Sequence, residues 1–133
     1  MPTPIFMTIG EVARHARIHA SAIRFYEKVG LLPKPGRSGG QRRYDQNILP
    51  RLALLDWAKG CGFTLEEIRE LFGKAGEASL SQRMQKLCLK KIDELETLSK
   101  RIEFMRGLLE RAQKCQCIDV QECGRRILNR RRS

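Results

Sequence analysis

Long apolar runs are missing from this sequence. No stretch approaches the roughly 20 apolar residues that a membrane-spanning helix needs, so no bilayer-crossing segment is expected. Histidine is scarce: the two present, His15 and His19, both fall near the start of the chain. With no Ser/His/Asp set, no phosphate-cradling glycine loop and no evident carboxylate pair, the chain does not read as an enzyme. Acid is short as well, with 15 Asp/Glu against 26 Lys/Arg and a net charge of +11. The deficit is uneven. Residues 1 to 61 hold ten basic and four acidic side chains, and 125 to 132 add five arginines with no acid. Such an excess points to nucleic acid first and to an acidic membrane surface second. No export signal is expected, because Met1-Pro-Thr-Pro lacks a basic flank followed by a long apolar core. Five cysteines, an odd number, argue against a disulfide framework. The expected setting is reducing cytoplasm, with free thiols.

What is present begins with a helix signal. Thr8-Ile-Gly-Glu11 fits a capping box, in which the threonine hydroxyl and the glutamate carboxylate each satisfy the other's backbone amide. Ile9, Val12 and Ala13 form an apolar face, and the helix should stop near 15 to 17. Ile18 re-enters the core and a second helix is expected from about Ala20 to Val29, closed by Gly30. Two short helices joined by a tight turn make a helix-turn-helix over about 9 to 28. The next stretch, 31 to 44, has two prolines and three glycines and cannot be helical; it reads as a hairpin whose tip is Gly39-Gly40. Its Arg37, Arg42, Arg43 and Tyr44 are candidate phosphate donors.

Asp45 is expected to cap a third helix reaching about Lys59, with Leu49, Leu52, Leu55 and Trp57 or Ala58 facing inward. Pro50, which has no amide hydrogen, should delay or distort its start. Thr64-Leu-Glu-Glu67 is a second capping box for a short helix with Leu65, Ile68, Leu71 and Phe72 inward. Cys61, between glycines, is expected to be a small packed residue. Residues 73 to 79 read as a linker. From Leu80 to about Gln113 only Gly107 interrupts a helical composition, giving roughly 50 Å of helix. Leu98, Ile102, Met105, Leu109 and Ala112 step by four and three, and Met84, Leu87 or Cys88, Ile92 and Leu95 extend the stripe with one slip in phase. A second copy of the chain is the expected partner for so long an apolar seam.

These residues together resemble a family. Ile9-Gly-Glu-Val-Ala13, Ala22-Ile-Arg-Phe-Tyr-Glu-Lys-Val-Gly-Leu-Leu32, Arg43-Tyr44 and Gly62-Phe-Thr-Leu-Glu-Glu-Ile68 are similar to the MerR family of bacterial transcription regulators. The resemblance covers residues 8 to 72 closely. It implies a mainly α fold: a winged helix-turn-helix domain (7–75), a long antiparallel coiled-coil dimerisation helix (80–113) and a cysteine effector loop with a short basic C-terminal helix (114–133). It implies double-stranded promoter DNA and RNA polymerase as partners, and activation by inducer-driven untwisting and kinking of the DNA. By position it assigns Arg17, Ser21, Arg24 and Tyr26 to the helix-turn-helix contact set, and Arg42, Arg43 and Tyr44 to the wing. His19 departs from the family, which usually has a capping hydroxyl there.

Cys115, Cys117 and Cys123 fall within nine residues. Soft donors so close favour Cu(I), Zn(II), heavier thiophilic cations or iron–sulfur clusters. The basic neighbours Arg111, Lys114, Arg125 and Arg126 should favour thiolate over thiol. The resemblance supplies two templates. Cys115 and Cys123 match the two-cysteine loop of the family's copper(I) sensors, with Ser81 where the sensors of divalent ions carry a helix cysteine. All three match the last three ligands of the SoxR-like redox branch, but Ala112 occupies its first ligand position, leaving a [2Fe-2S] cluster one ligand short. A three-thiolate site for mercury-type ions is the remaining alternative. The expected trigger is a thiophilic metal, copper-group or mercury-type, with a redox cluster as rival.

Overall fold

The computed structural model describes residues 6–73 and 78–132. The linker expected over 73 to 79 lies largely outside the described residues, as does the segment 1 to 5. Backbone contacts divide the chain into two units, Met1–Lys91 and Ile92–Ser133.

The first unit carries a short strand β1 (Phe6–Met7), helices α1 (Ile9–Ala16) and α2 (Ala20–Lys28), strands β2 (Gly36–Ser38) and β3 (Gln41–Asp45), and helices α3 (Ile48–Gly60) and α4 (Leu65–Phe72). The expected winged helix-turn-helix is the fold observed. The Thr8 capping box forms, with the Thr8 amide donating to Glu11 at 3.1 Å and the Glu11 amide to the Thr8 hydroxyl at 3.2 Å. Arg17 ends α1 in the left-handed region at φ 57°, a conformation that costs a side chain about 1 kcal/mol or more. His19 sits at the N-cap of α2 and makes no side-chain capping bond.

The wing is an antiparallel hairpin, with Arg37 opposite Arg42 and Ser38 opposite Gln41. Its tip, Gly39 and Gly40, has φ of 58° and 80°. Two positive φ values in a two-residue loop match the right-handed twist of the strands, which explains glycine at both places. β1 was not anticipated. It pairs with β3 through Phe6–Asp45 and Met7–Tyr44 and puts Met7 wholly inside.

One expectation for α3 needs correction. Asp45 does not cap the helix: its carboxylate accepts from the Asn47 amide at 2.9 Å and closes the turn ahead of it. The late start expected from Pro50 is observed, at Ile48, and Pro50 falls in the first turn, where amides have no helical acceptor. Ile48, Leu52, Leu55 and Ala58 are buried, whereas Trp57 is half exposed. Cys61 packs at the edge of this core, as expected.

α4 opens on the second capping box, with bonds of 2.9 and 3.2 Å between Thr64 and Glu67. Glu67 is itself buried and pairs with Lys91 at 2.9 Å. The Thr64 amide first, then Lys91, holds its carboxyl below the usual range. A carboxylate whose pKa is depressed by folding adds stability above its unfolded value, near pH 4.3, and loses it as pH falls through the folded value. We therefore expect wild type to exceed Glu67→Gln in stability at pH 7, with the gap closing below about pH 4.3. Urea unfolding of both proteins across that range checks this, and a gap constant from pH 7 to pH 3 contradicts it. Arg83 closes the other end of α4, its Nε donating to the Leu71 carbonyl at 2.9 Å and an Nη to that of Phe72 at 3.3 Å.

The long helix α5 runs from Leu80 to Ala112. Ser79 and Gln82 cap it reciprocally, at 3.0 and 3.3 Å. The apolar stripe expected along it divides in function. Met84, Leu87 and Cys88 are spent on the core of the first unit. In the second unit, Leu95, Leu98, Ile102, Met105 and Leu109 stay 42–69% exposed within the chain. A basic helix α6 (Val120–Arg131) follows, capped by Asp119, whose carboxylate accepts from the Glu122 amide at 2.8 Å. No helix among the described residues is long and apolar enough to cross a membrane.

Candidate nucleic-acid interface and thiol centre

α2 buries Ile23 and Tyr26 and turns Ser21, Arg24, Phe25 and Lys28 outward. Arg17 is exposed in the turn before it, and Arg37 is exposed on the wing. Arg42 and Arg43 are half-buried on β3. The exposed or half-exposed cations of the expected set thus belong to the helix-turn-helix and the wing of one unit. Guanidinium groups so placed suit phosphate oxygens and the acceptor edges of guanine.

The two tyrosines of that set are corrected by their burial. Tyr26 and Tyr44 are each only 2% exposed and belong to the core, where their rings find apolar contact that the surface does not offer. The Tyr44 hydroxyl donates to Glu27 rather than standing free. Burial first, then that bond to a carboxylate, raises its pKa above the usual tyrosine value. Glu27 was missed from sequence. Its other oxygen lies 3.8 Å from Arg42, so one carboxylate of α2 ties to two residues of β3. This link between recognition helix and wing joins residues 17 apart and had no local signal.

The thiol centre lies in the second unit. Cys115 and Cys117 stand on the loop between α5 and α6, and Cys123 on the first turns of α6. α6 therefore carries the third thiol, which sequence reading placed in the loop. The three sulfurs all lie within 4.8 Å of one another. The Cys117 amide donates to the Cys115 sulfur at 3.4 Å, and this bond, ahead of the Cys117 thiol, lowers the Cys115 pKa, with Arg126 assisting. Cys117 moves the opposite way. Its hydrogen bond to the Cys115 sulfur, then its burial, pushes its pKa up to about 11. The expectation that basic neighbours favour all three thiolates thus holds for Cys115 and fails for Cys117. Metal entry would displace that retained proton. The thiols open on a hollow lined by Phe104, Leu108, Leu109, Arg126, Ile127 and Arg130.

Cys88 packs against the core of the first unit, and Ala112 closes α5 with no donor side chain. The Ser81 hydroxyl lies 3.1 Å from that of Ser79, within the cap of α5.

A winged helix-turn-helix with outward arginines, followed by a long helix and a thiol-bearing unit, defines a DNA-binding transcription regulator and not an enzyme. Residues 7–74 match the family described as MerR HTH family regulatory protein, and residues 49–112 match that described as MerR, DNA binding. The chain is 38% identical over 120 residues to the HTH-type transcriptional regulator CueR of Salmonella typhi, covering 88% of this chain and 87% of that protein. It is 34% identical over 121 residues to the mercuric resistance operon regulatory protein of Bacillus cereus, covering 86% and 90%. Among solved structures, the transcription regulator PbrR691 of Ralstonia metallidurans CH34, in complex with lead(II), superposes with a TM-score of 0.71 at 32% identity, covering 89% of this chain and 94% of that one. The chain belongs to the MerR family of helix-turn-helix transcription regulators.

Proposed function

We propose that this protein binds promoter DNA as a homodimer and activates transcription when a thiophilic metal ion, copper-group (Cu(I), Ag(I), Au(I)) or mercury-type, binds Cys115, Cys117 and Cys123. The observation that carries the reading is the approach of three sulfurs within 4.8 Å beside the arginines of α6. The mercuric resistance regulator and the lead(II)-bound PbrR691 among its relatives support the same chemistry. A [2Fe-2S] centre is less well served, since it needs four ligands and Ala112 stands at the first ligand position of the redox branch.

Arg17, Ser21 and Arg24 present the DNA-reading face, and Arg37, Arg42 and Arg43 hold the backbone from the wing. The exposed stripe of α5 takes a second copy of the chain in an antiparallel coiled coil. RNA polymerase is the partner that reads the distorted promoter. Metal occupancy selects between two dimer geometries, and the protein's own DNA contacts supply the distortion energy.

Arg24→Ala tests the DNA-reading face. A bidentate base contact contributes about 1–3 kcal/mol, and a homodimer loses it twice. On a duplex selected from random sequence by the wild type, we expect affinity to fall well beyond about tenfold. Gel-shift titration at fixed salt measures it, and an unchanged affinity refutes the assignment.

A further inference from the structure

We infer that the buried ion pair of Glu67 and Lys91 is the coupling joint of this regulator. It fixes the angle at which α5 leaves the DNA-binding unit, and so carries a change of dimer geometry to the recognition helix. Glu67 and Lys91 act here as positioning residues, touching neither DNA nor metal, and the role rests on the metal-responsive reading above.

Three side chains tie the first turns of α5 back along α4. Arg83 bonds to the carbonyls of Leu71 and Phe72 at the C-terminal end of α4. Lys86 lies 3.7 Å from Glu70, and Lys91 lies 2.9 Å from Glu67 near the N-terminal end. Lys91 also stands over the Phe63 ring, 5.7 Å from its centre. Past Lys91 no residue of α5 is buried within the chain, and the first unit ends there too. Lys91 is therefore the last buried contact of the DNA-binding unit with α5.

Arg83 and Lys91 are eight residues apart, about 12 Å along the helix. One attachment leaves a helix free to swivel, whereas two at that separation fix its direction. Between them, the Lys86–Glu70 pair is solvent-exposed and adds little. The apolar packing of Met84 and Leu87 holds α5 in place but has no directional preference. A buried ion pair is often no more stabilising than apolar residues of similar volume, but it is satisfied in one geometry only. Glu67 is doubly committed: the oxygen that meets Lys91, Oε1, also accepts from the Thr64 amide at 2.9 Å. A shift of Lys91 thus pulls on the start of α4. The next residue, Ile68, enters the same core as Ile23 and Tyr26 of α2.

The test uses full-length protein carrying Glu67→Gln and Lys91→Met together. Glutamine keeps the capping box and methionine keeps most of the stem, so no lone buried charge remains. Cu(I) and, separately, Cd(II) are the added ions. Gel shift gives metal-free operator affinity, and a competing chelator gives the metal affinity of the free protein. The ratio of transcript with and without metal gives the response, and 2-aminopurine at the operator centre reports DNA distortion directly. Both affinities should stay within about twofold of wild type. The transcript ratio should fall about three- to thirtyfold, and the fluorescence change should shrink with it. A pair that serves stability alone would lower the unfolding midpoint and leave both responses unchanged. A double variant with the full responses overturns the joint. So does one that loses metal-free operator binding, because the pair then belongs to the fold of the DNA-binding unit. Both results leave the metal-responsive reading standing. A wild type that answers neither ion overturns that reading, and the joint with it.

Discussion

Ile102→Glu is expected to leave a folded monomer that no longer holds its operator. Ile102 sits mid-seam between Leu98 and Met105 and is 49% exposed in the single chain. A partner helix that covers it removes the remaining half of its apolar surface, worth about 1 kcal/mol per copy. Glutamate forfeits that in both copies and adds the cost of desolvating two carboxylates. The dimer should weaken by about a thousandfold or more. Glutamate is a good helix former, so α5 itself should persist. Sedimentation at micromolar concentration would show the monomer. Operator affinity would fall with it, because a monomer reaches only one half-site. A variant that still sediments as a dimer contradicts the assignment of this face.

Replacing Cys115 and Cys123 together by serine should abolish the metal response and spare the DNA contact. The two thiols lie in the second unit, whereas Arg24 and the wing lie in the first. A hydroxyl is a hard, weakly acidic donor and cannot replace a thiolate for a soft ion. The coupling between ligand and DNA state in such switches is typically about 1–3 kcal/mol, or 5- to 150-fold. The double variant should lose that whole factor in metal-stimulated transcription while its metal-free operator affinity stays within about twofold of wild type. Gel-shift and run-off assays on one template separate the two effects. A double variant that loses DNA binding to the same extent would place the cysteines in the fold rather than in a sensor.

The parts of this structure that were legible in the sequence are those with local causes. Both capping boxes, at Thr8 and Thr64, need only a hydroxyl and a carboxylate three residues apart. The wing tip needed two glycines in a row, and the long helix a composition nearly free of breakers. The three cysteines were legible as candidates from their spacing, and the turn from the loop into α6 is what brings their sulfurs within 4.8 Å. What was not legible depends on distant partners. β1 is two residues long and exists only by pairing with β3. Tyr26 and Tyr44 have a polar tip and an apolar body, and only the tertiary core decides which end prevails. Met84, Leu87 and Cys88 carry the same period as the seam, yet the first unit claims them. The split between Cys115 and Cys117 arises from one backbone amide aimed at one sulfur, and composition does not encode that.

The most direct measurement is single-round transcription by RNA polymerase from the selected promoter, with purified metal-free protein already bound. The account predicts that one equivalent per chain of a soft metal ion, Cd(II), Hg(II) or Cu(I), raises the transcript roughly 5- to 150-fold without changing promoter occupancy, and that the Cys115→Ser/Cys123→Ser protein stays at the metal-free level. Transcript unchanged by all three ions, or raised equally in the double variant, would contradict it.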